Sequence, residues 1–181
     1  DLYAKLNGRW EYAGTGRPTQ FPTNTANLTG DLGPQKREFL LYLPLYNGVE
    51  SVSVGLPPGA TLHRAPQRKG KRKAGFVNYG TSIVHGGCAS RAGMGYPEIA
   101  ARALDSAAIN LGFSGNGPME LEMARLLIDL NPAVFVLDCL PNMTPEQVTQ
   151  RAELFVDILR AKRPRTPIVL VENIFSSRWR I

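Results

Sequence analysis

From Gly75 onward, short apolar runs alternate with helical patterns, and this rhythm constrains the fold more than any other feature of the chain. Phe76-Val77-Asn78-Tyr79 reads as one strand, 107–111 as a second, 133–137 as a third and 167–171 as a fourth. Pro97 suits the first residue of a helix through Ile99, Ala100 and Ala103. Pro118 opens another, in which Met123, Leu126, Leu127 and Leu130 recur at the spacing of one buried face. Thr144-Pro145-Glu146-Gln147 has the form of a capping box, and Val148, Ala152, Phe155 and Leu159 continue its apolar stripe. Strands and helices in this alternation predict an α/β fold, a parallel sheet with helices on both faces and right-handed crossovers.

The first third reads differently. Arg37-Glu38-Phe39-Leu40-Leu41-Tyr42-Leu43-Pro44-Leu45-Tyr46 has strand character, Asn47-Gly48 is a hairpin signal, and 49–54 is expected to return antiparallel. Residues 13–34, rich in Gly, Pro, Thr and Asn, read as long loops, and 60–62 as a short apolar stretch after Pro57-Pro58-Gly59. These observations divide the chain into a partial β-sandwich domain over 1–65, a basic linker over 66–74 and the α/β domain over 75–181.

The net charge of +6 is concentrated in Arg64, Arg68, Lys69, Lys71, Arg72 and Lys73. That run has neither aromatic platforms nor a long basic helix, so it reads as a solvated linker and not as a nucleic-acid surface. With 43% hydrophobic and 20% charged residues the chain is a folding one. Its longest apolar stretches, such as 133–137, fall far short of the ~20 residues that span a bilayer. Asp1-Leu2-Tyr3-Ala4-Lys5 lacks the basic and apolar regions of a signal peptide, which leaves the compartment open. Cys88 and Cys139 form neither a disulfide framework nor a CxxC pair, and both read as small buried residues beside strand ends. His63 and His85 stand without an HxxxH or Cys/His cluster, so no metal site or cofactor is expected. No glycine-rich nucleotide motif follows a strand.

In open α/β sheets ligands bind beyond the carboxyl ends of the strands. That rim here consists of Gly80-Thr81-Ser82-Ile83, Gly112-Phe113-Ser114-Gly115-Asn116-Gly117, Asp138-Cys139-Leu140-Pro141-Asn142-Met143 and Glu172-Asn173. A serine hydroxyl at such a turn becomes a nucleophile when a base takes its proton and donors stabilise the oxyanion. Ser82, Gly115 and Asn142 are the candidates. Each also has a plainer reading: the glycines as positive-φ turns, Asn142 as a turn former, Ser82 as a helix cap. Asp138 reads as a buried strand-end carboxylate bonded to a neighbouring loop.

Tyr79-Gly80-Thr81-Ser82-Ile83, Asn110-Leu111-Gly112-Phe113-Ser114-Gly115 and Leu140-Pro141-Asn142 together resemble the first three blocks of the SGNH (GDSL-like) serine hydrolases, in the family's order. Asp1-Leu2-Tyr3 resembles the end of the Gly-x-Asp-Leu-Tyr motif of a β-sandwich that precedes the hydrolase domain in one branch. The resemblance implies a flavodoxin-like hydrolase sheet after a jelly-roll-like domain. It implies Ser82 as nucleophile, with Gly115 and Asn142 as oxyanion donors, and a rim at which His85 and Asn116 meet substrate; His63 stays structural or solvent-exposed. Thr81 stands where the family commonly has Asp, and the family's Asp-x-x-His block does not occur before Ile181. Phe175-Ser176-Ser177-Arg178-Trp179-Arg180-Ile181 does not supply it, so the chain reads as truncated at both ends, with apolar edges that favour self-association into a homo-oligomer. The implied substrate is a small acyl ester, acetylated carbohydrate above all, in a secreted or periplasmic setting. Acyl transfer to an alcohol is the neighbouring chemistry, and a catalytically incomplete glycan- or ester-binding module is the alternative.

Overall fold

The structure, a computed structural model, describes residues 1–30 and 32–173. The closing run from Phe175 therefore lies outside the described residues. The chain divides into two compact units, one made of Asp1–Gln67 with Ser90–Gly93, the other of Arg68–Ala89 with Met94 onward.

The first unit holds an antiparallel sheet of β1 (Leu2–Leu6), β2 (Arg9–Gly14) and β3 (Phe39–Leu41), in the order β2-β1-β3. The hairpin forms at Asn7-Gly8, not at Asn47-Gly48: Leu6 pairs with Arg9, and both turn residues have positive φ, 49° and 79°. Right-twisted strands need that mirror-image turn. The segment 49–54 is no strand, and Val49, Val52 and Val54 are exposed. Pro44, which cannot donate to a ladder, follows closely on β3, and β3 pairs instead with β1. His63 is exposed, its Nε2 3.0 Å from Thr61 Oγ1.

Little of this sheet is buried by apolar packing. The Asp1 carboxylate is its fastening: it accepts from Thr15 Oγ1 at 2.7 Å and from the Gly93 amide at 3.0 Å, and lies 3.2 Å from Arg91 Nε. The Arg91 guanidinium stacks 4.3 Å from the Tyr12 ring centre, and Tyr3 sits edge-on to Tyr12 and Tyr42. Gly93 is required there, because a Cβ would lie 2.6 Å from Tyr3 Cε2.

In the second unit the run read as a linker contains a one-turn helix, α1 (Lys71–Ala74). Arg68 Nε donates to the Asp105 carbonyl at 3.1 Å, and Arg68 and Arg72 both reach the Asp105 carboxylate at 3.4 Å. Four parallel strands follow, β4 (Phe76–Gly80), β5 (Ala108–Gly112), β6 (Val134–Asp138) and β7 (Ile168–Leu170), each within a residue or two of its expected place. Their order is β5-β4-β6-β7, so the chain leaves β4 to one side and later returns to the other, which makes the β4/β6 boundary the topological switch point of a flavodoxin-like sheet. Between the strands lie α2 (Ser82–His85), α3 (Tyr96–Ala103), α4 (Leu121–Leu127) and α5 (Pro145–Lys162).

Strand β4 is central and buried at every position. Val77 and Tyr79 face α4 and α5 in a core with Leu127, Phe135, Leu137, Phe155 and Leu159. The capping box at Thr144 forms in both halves, and its helix buries Phe155 and Leu159 of the expected stripe and half-buries Val148 and Ala152. Helix α4 departs from expectation. It begins at Leu121, because Gly117 and Met119 take left-handed backbone on either side of Pro118, and it buries Ala124 and Leu127 while Leu126 is exposed. Cys139 is buried at the end of β6, but Cys88 is exposed: it falls in the turn after α2 and at no strand end. No described helix is long and apolar enough to cross a membrane.

Candidate active site

The carboxyl ends of β4, β5 and β6 are in register at Gly80, Gly112 and Asp138, and the candidate residues lie just beyond them. Thr81 is fully buried and donates its amide to the Asp138 carbonyl at 3.2 Å. Its hydroxyl accepts from the Ile83 amide at 3.3 Å, so Thr81, and not Ser82, is the cap of α2. Ser82 is thereby left as the first residue of the helix, half-buried at the switch point, its hydroxyl not used for capping. His85 closes the same turn, half-buried, and Gly86 ends it in left-handed backbone at φ 95°.

Close approach, more than turn geometry, explains the glycines. A Cβ on Gly80 would stand 2.0 Å from the Asp138 carbonyl oxygen, and one on Gly112 would stand 2.0 Å from the His85 nitrogen. Helix α2 thus rests on the end of β5 where no side chain fits. Gly115 alone of the three has positive φ, 75°, with open space around it.

The loop 113–120 that carries Gly115 is fixed along its length. Phe113 donates its amide to the Gly80 carbonyl at 2.9 Å, and Gly117 lies against the same oxygen, 2.2 Å from where its Cβ would be. Asn142 Nδ2 donates to the Asn116 carbonyl at 2.8 Å, joining the loop after β6 to the loop after β5. Arg151 Nη1, from α5, donates to the Pro118 carbonyl at 3.0 Å, and the Tyr79 hydroxyl donates to the Glu120 carboxylate. The structure therefore brings the segments of Ser82, Gly115, Asn116 and Asn142 to one rim, with Asn116, Gly115 and Asn142 solvent-exposed.

Burial acts on several ionisable groups beneath this rim. Burial raises the Asp138 carboxyl above the usual carboxylate range, and Tyr96 donates its hydroxyl to it at 3.0 Å, a strand-end carboxylate bonded to a neighbouring element. Burial pushes the Cys139 thiol up to about 12, which removes it as a nucleophile near neutral pH. The Tyr79 hydroxyl is raised as well, by burial and by its bond to Glu120. Among the described residues no cluster of His, Cys, Asp and Glu could hold a metal ion. Sequence reasoning did not single out the Tyr79–Glu120 pair, the Arg151 bond or the side chain of Asn110, which donates to the Val84 carbonyl and to Glu98. The readable signal was an amide within an otherwise apolar strand.

Comparison with known proteins bears on the family and the fold. Residues 73–180 match the model of the GDSL-like lipase/acylhydrolase family, and residues 1–62 match the N-terminus of SGNH-hydrolase-type esterases. A crystal structure of a GDSL-like lipase from Bacteroides ovatus ATCC 8483 is similar at 42% identity with a TM-score of 0.85, over 94% of this chain and 49% of that one. The salicylyl-acyltransferase SsfX3 from a tetracycline biosynthetic pathway is similar at 29% identity with a TM-score of 0.50, over 67% of this chain and 37% of that one. No curated protein matches. The chain thus spans about half the length of the lipase it resembles. On its sequence match and its parallel sheet, the chain belongs to the GDSL-like lipase/acylhydrolase family.

Proposed function

We propose that the protein is a serine esterase that cleaves small acyl esters, acetyl groups on carbohydrate first among them, through an acyl-enzyme on Ser82. The observation that carries this reading is the division of labour at the end of β4: Thr81 caps α2, and the next hydroxyl is left at the switch point of the sheet. Ser82 Oγ attacks the ester carbonyl carbon, its proton passes to a base, and the base returns that proton to the alkoxide oxygen as the C–O bond breaks and the alcohol leaves. Water then attacks the acyl carbon and releases the acid. The amides of Ser82 and Gly115 and the side chain of Asn142 act as oxyanion donors. The bonds that fix the 113–120 loop support this role, since donors held in place before the reaction need no reorganisation during it. His85 and Asn116 contact substrate at the rim. The base is expected in an Asp-x-x-His block, and His85 is the histidine of this chain nearest Ser82 in sequence.

Acyl transfer to an alcohol is favoured by the likeness to a salicylyl-acyltransferase, and differs only in what attacks the acyl-enzyme. The test is intact mass after incubation of the full-length protein with a fluorophosphonate, beside Ser82→Ala. One adduct, lost in the variant, supports the reading; no adduct on folded protein leaves a glycan- or ester-binding module. Product analysis with p-nitrophenyl acetate and an added sugar alcohol separates hydrolysis from transfer. If an adduct forms on the 181-residue chain itself, the base is His85 or a group of a partner chain.

A further inference from the structure

We propose that Asn110, a strand residue with no contact to the reacting atoms, is a positioning residue that sets the nucleophile turn and the oxyanion loop together. This inference rests on the reading of Ser82 as nucleophile.

Asn110 lies in β5, opposite the buried Asn78 of β4 and on the face covered by α2 and α3. Its side-chain nitrogen donates to the Val84 carbonyl at 2.7 Å and to Glu98 Oε1 at 2.9 Å, and its Oδ1 accepts from the Gly112 amide at 3.0 Å. A single amide therefore joins the turn that begins at Ser82, the last residue of β5 just before the loop that carries Gly115, and the first turn of α3. The orientation is fixed by the partners: two acceptors face the nitrogen and a backbone donor faces the oxygen, so a flipped amide would lose all three bonds.

Helix α2 needs such a tie. It has four residues, far below the length at which a helix holds itself together. Its start is fastened by the Thr81 cap, and Asn110 fastens its third residue from outside. Gly112 matches this role, since it must lack a side chain for the His85 backbone to lie upon it. Glu98 in turn is packed closely. It occupies the third position of α3, and its Oε2, buried and without a hydrogen-bond partner among the described residues, folds back so far that a Cβ on Gly95 would lie 2.2 Å away, which leaves the bond from Asn110 to Oε1 as the tie of this carboxylate. The Glu98–Asn110–Val84 chain thus runs from the start of one helix, by way of a side chain on one face of β5, into the turn that carries Ser82.

The test uses the full-length protein, with the rate of Ser82 labelling by a fluorophosphonate and steady-state kinetics on p-nitrophenyl acetate. Displacement of a reacting group by about 1 Å costs on the order of 100-fold, so Asn110→Ala is expected to lower kcat and the labelling rate by about 10- to 100-fold with KM nearly unchanged. Glu98→Ala is expected to fall in the same direction, Glu98→Gln, which keeps the acceptor, to restore most of that loss, and the double alanine variant to be no slower than Asn110→Ala. A residue that only stabilised the fold would lower the melting temperature and leave the labelling rate of folded protein unchanged. If Asn110→Ala labels at the wild-type rate while Ser82→Ala is silent, the positioning role falls and the serine reading stands. If wild-type protein does not label, both fall. Should Asn110→Ala not fold, equal labelling of Glu98→Ala and Glu98→Gln overturns the proposal.

Discussion

Phe135 and Tyr3 are both almost inaccessible, at 0% and 4% exposure, but they are buried by different means. Phe135 lies in a strand with neighbours on both sides, inside an apolar cluster drawn from the sheet, α4 and α5. Tyr3 lies in a three-stranded sheet whose interior is two other tyrosine rings, a stacked arginine and a buried carboxylate. A parallel sheet gains stability from area removed from water, whereas a small antiparallel one, too thin for a core of its own, depends on a few directional contacts. The first should respond to lost volume and the second to lost partners.

Removing volume from the parallel sheet gives the largest expected effect. Phe135→Ala should cost about 3–5 kcal/mol, read as a lowered urea midpoint by circular dichroism. A loss well under that range would mean the cluster collapses to fill the space, and the contrast with the small sheet would weaken. Next is Arg91→Ala, which leaves the Asp1 carboxylate, 1% exposed, without its cation. The expected cost is about 1–3 kcal/mol, read as faster proteolysis between residues 1 and 67; unchanged proteolysis would mean that the tyrosines suffice. A smaller effect separates the two Asn-Gly pairs. Gly8→Ala forces a side chain into φ 79° and should cost about 1 kcal/mol, whereas Gly48→Ala, with open space around it, should stay within about 0.5 kcal/mol. Equal losses at both would contradict the placement of the hairpin.

The smallest effect concerns the polar edge of the large sheet. Because burial raises the Asp138 carboxyl in the folded protein, the folded state holds that proton more tightly than the unfolded state does. Stability therefore falls as pH rises through the raised value. Asp138→Asn keeps an acceptor for Tyr96 without the charge. Thermal melts should show the variant above wild type at neutral pH, with the gap closing on acidification; a gap that widened toward low pH would overturn this account.

Much of the parallel sheet could be read from the sequence, because each strand is an apolar run and each helix has a signal of its own, Pro97 at one start and the Thr144 box at another. The small sheet could be read only in part, β3 falling within the run 37–46. Leu2–Leu6 and Arg9–Gly14 mix Lys, Arg, Glu and aromatics with no clean alternation, and the Asn47-Gly48 signal, locally as good as Asn7-Gly8, has no strands to join. At the rim, Ser82, Gly115 and Asn142 stood out by residue type and block order. What fixes them did not: Asn142 bonding to the Asn116 carbonyl, Asn110 to Val84 and Tyr79 to Glu120 join residues 26 to 41 positions apart, which local patterns do not report.

The bond from the Gly93 amide to Asp1 spans 92 positions. During synthesis at about 5–20 residues per second, the carboxylate of Asp1 waits roughly 5–20 seconds for the segment that neutralises and encloses it. Throughout that interval β1 and β2 are already made but lack Arg91 and Gly93, while the 43–62 stretch with its exposed valines has emerged beside them. The hairpin of β1 and β2 is therefore made well before the segment that completes it, and it emerges into a period in which chaperones have more to hold than the final fold would suggest.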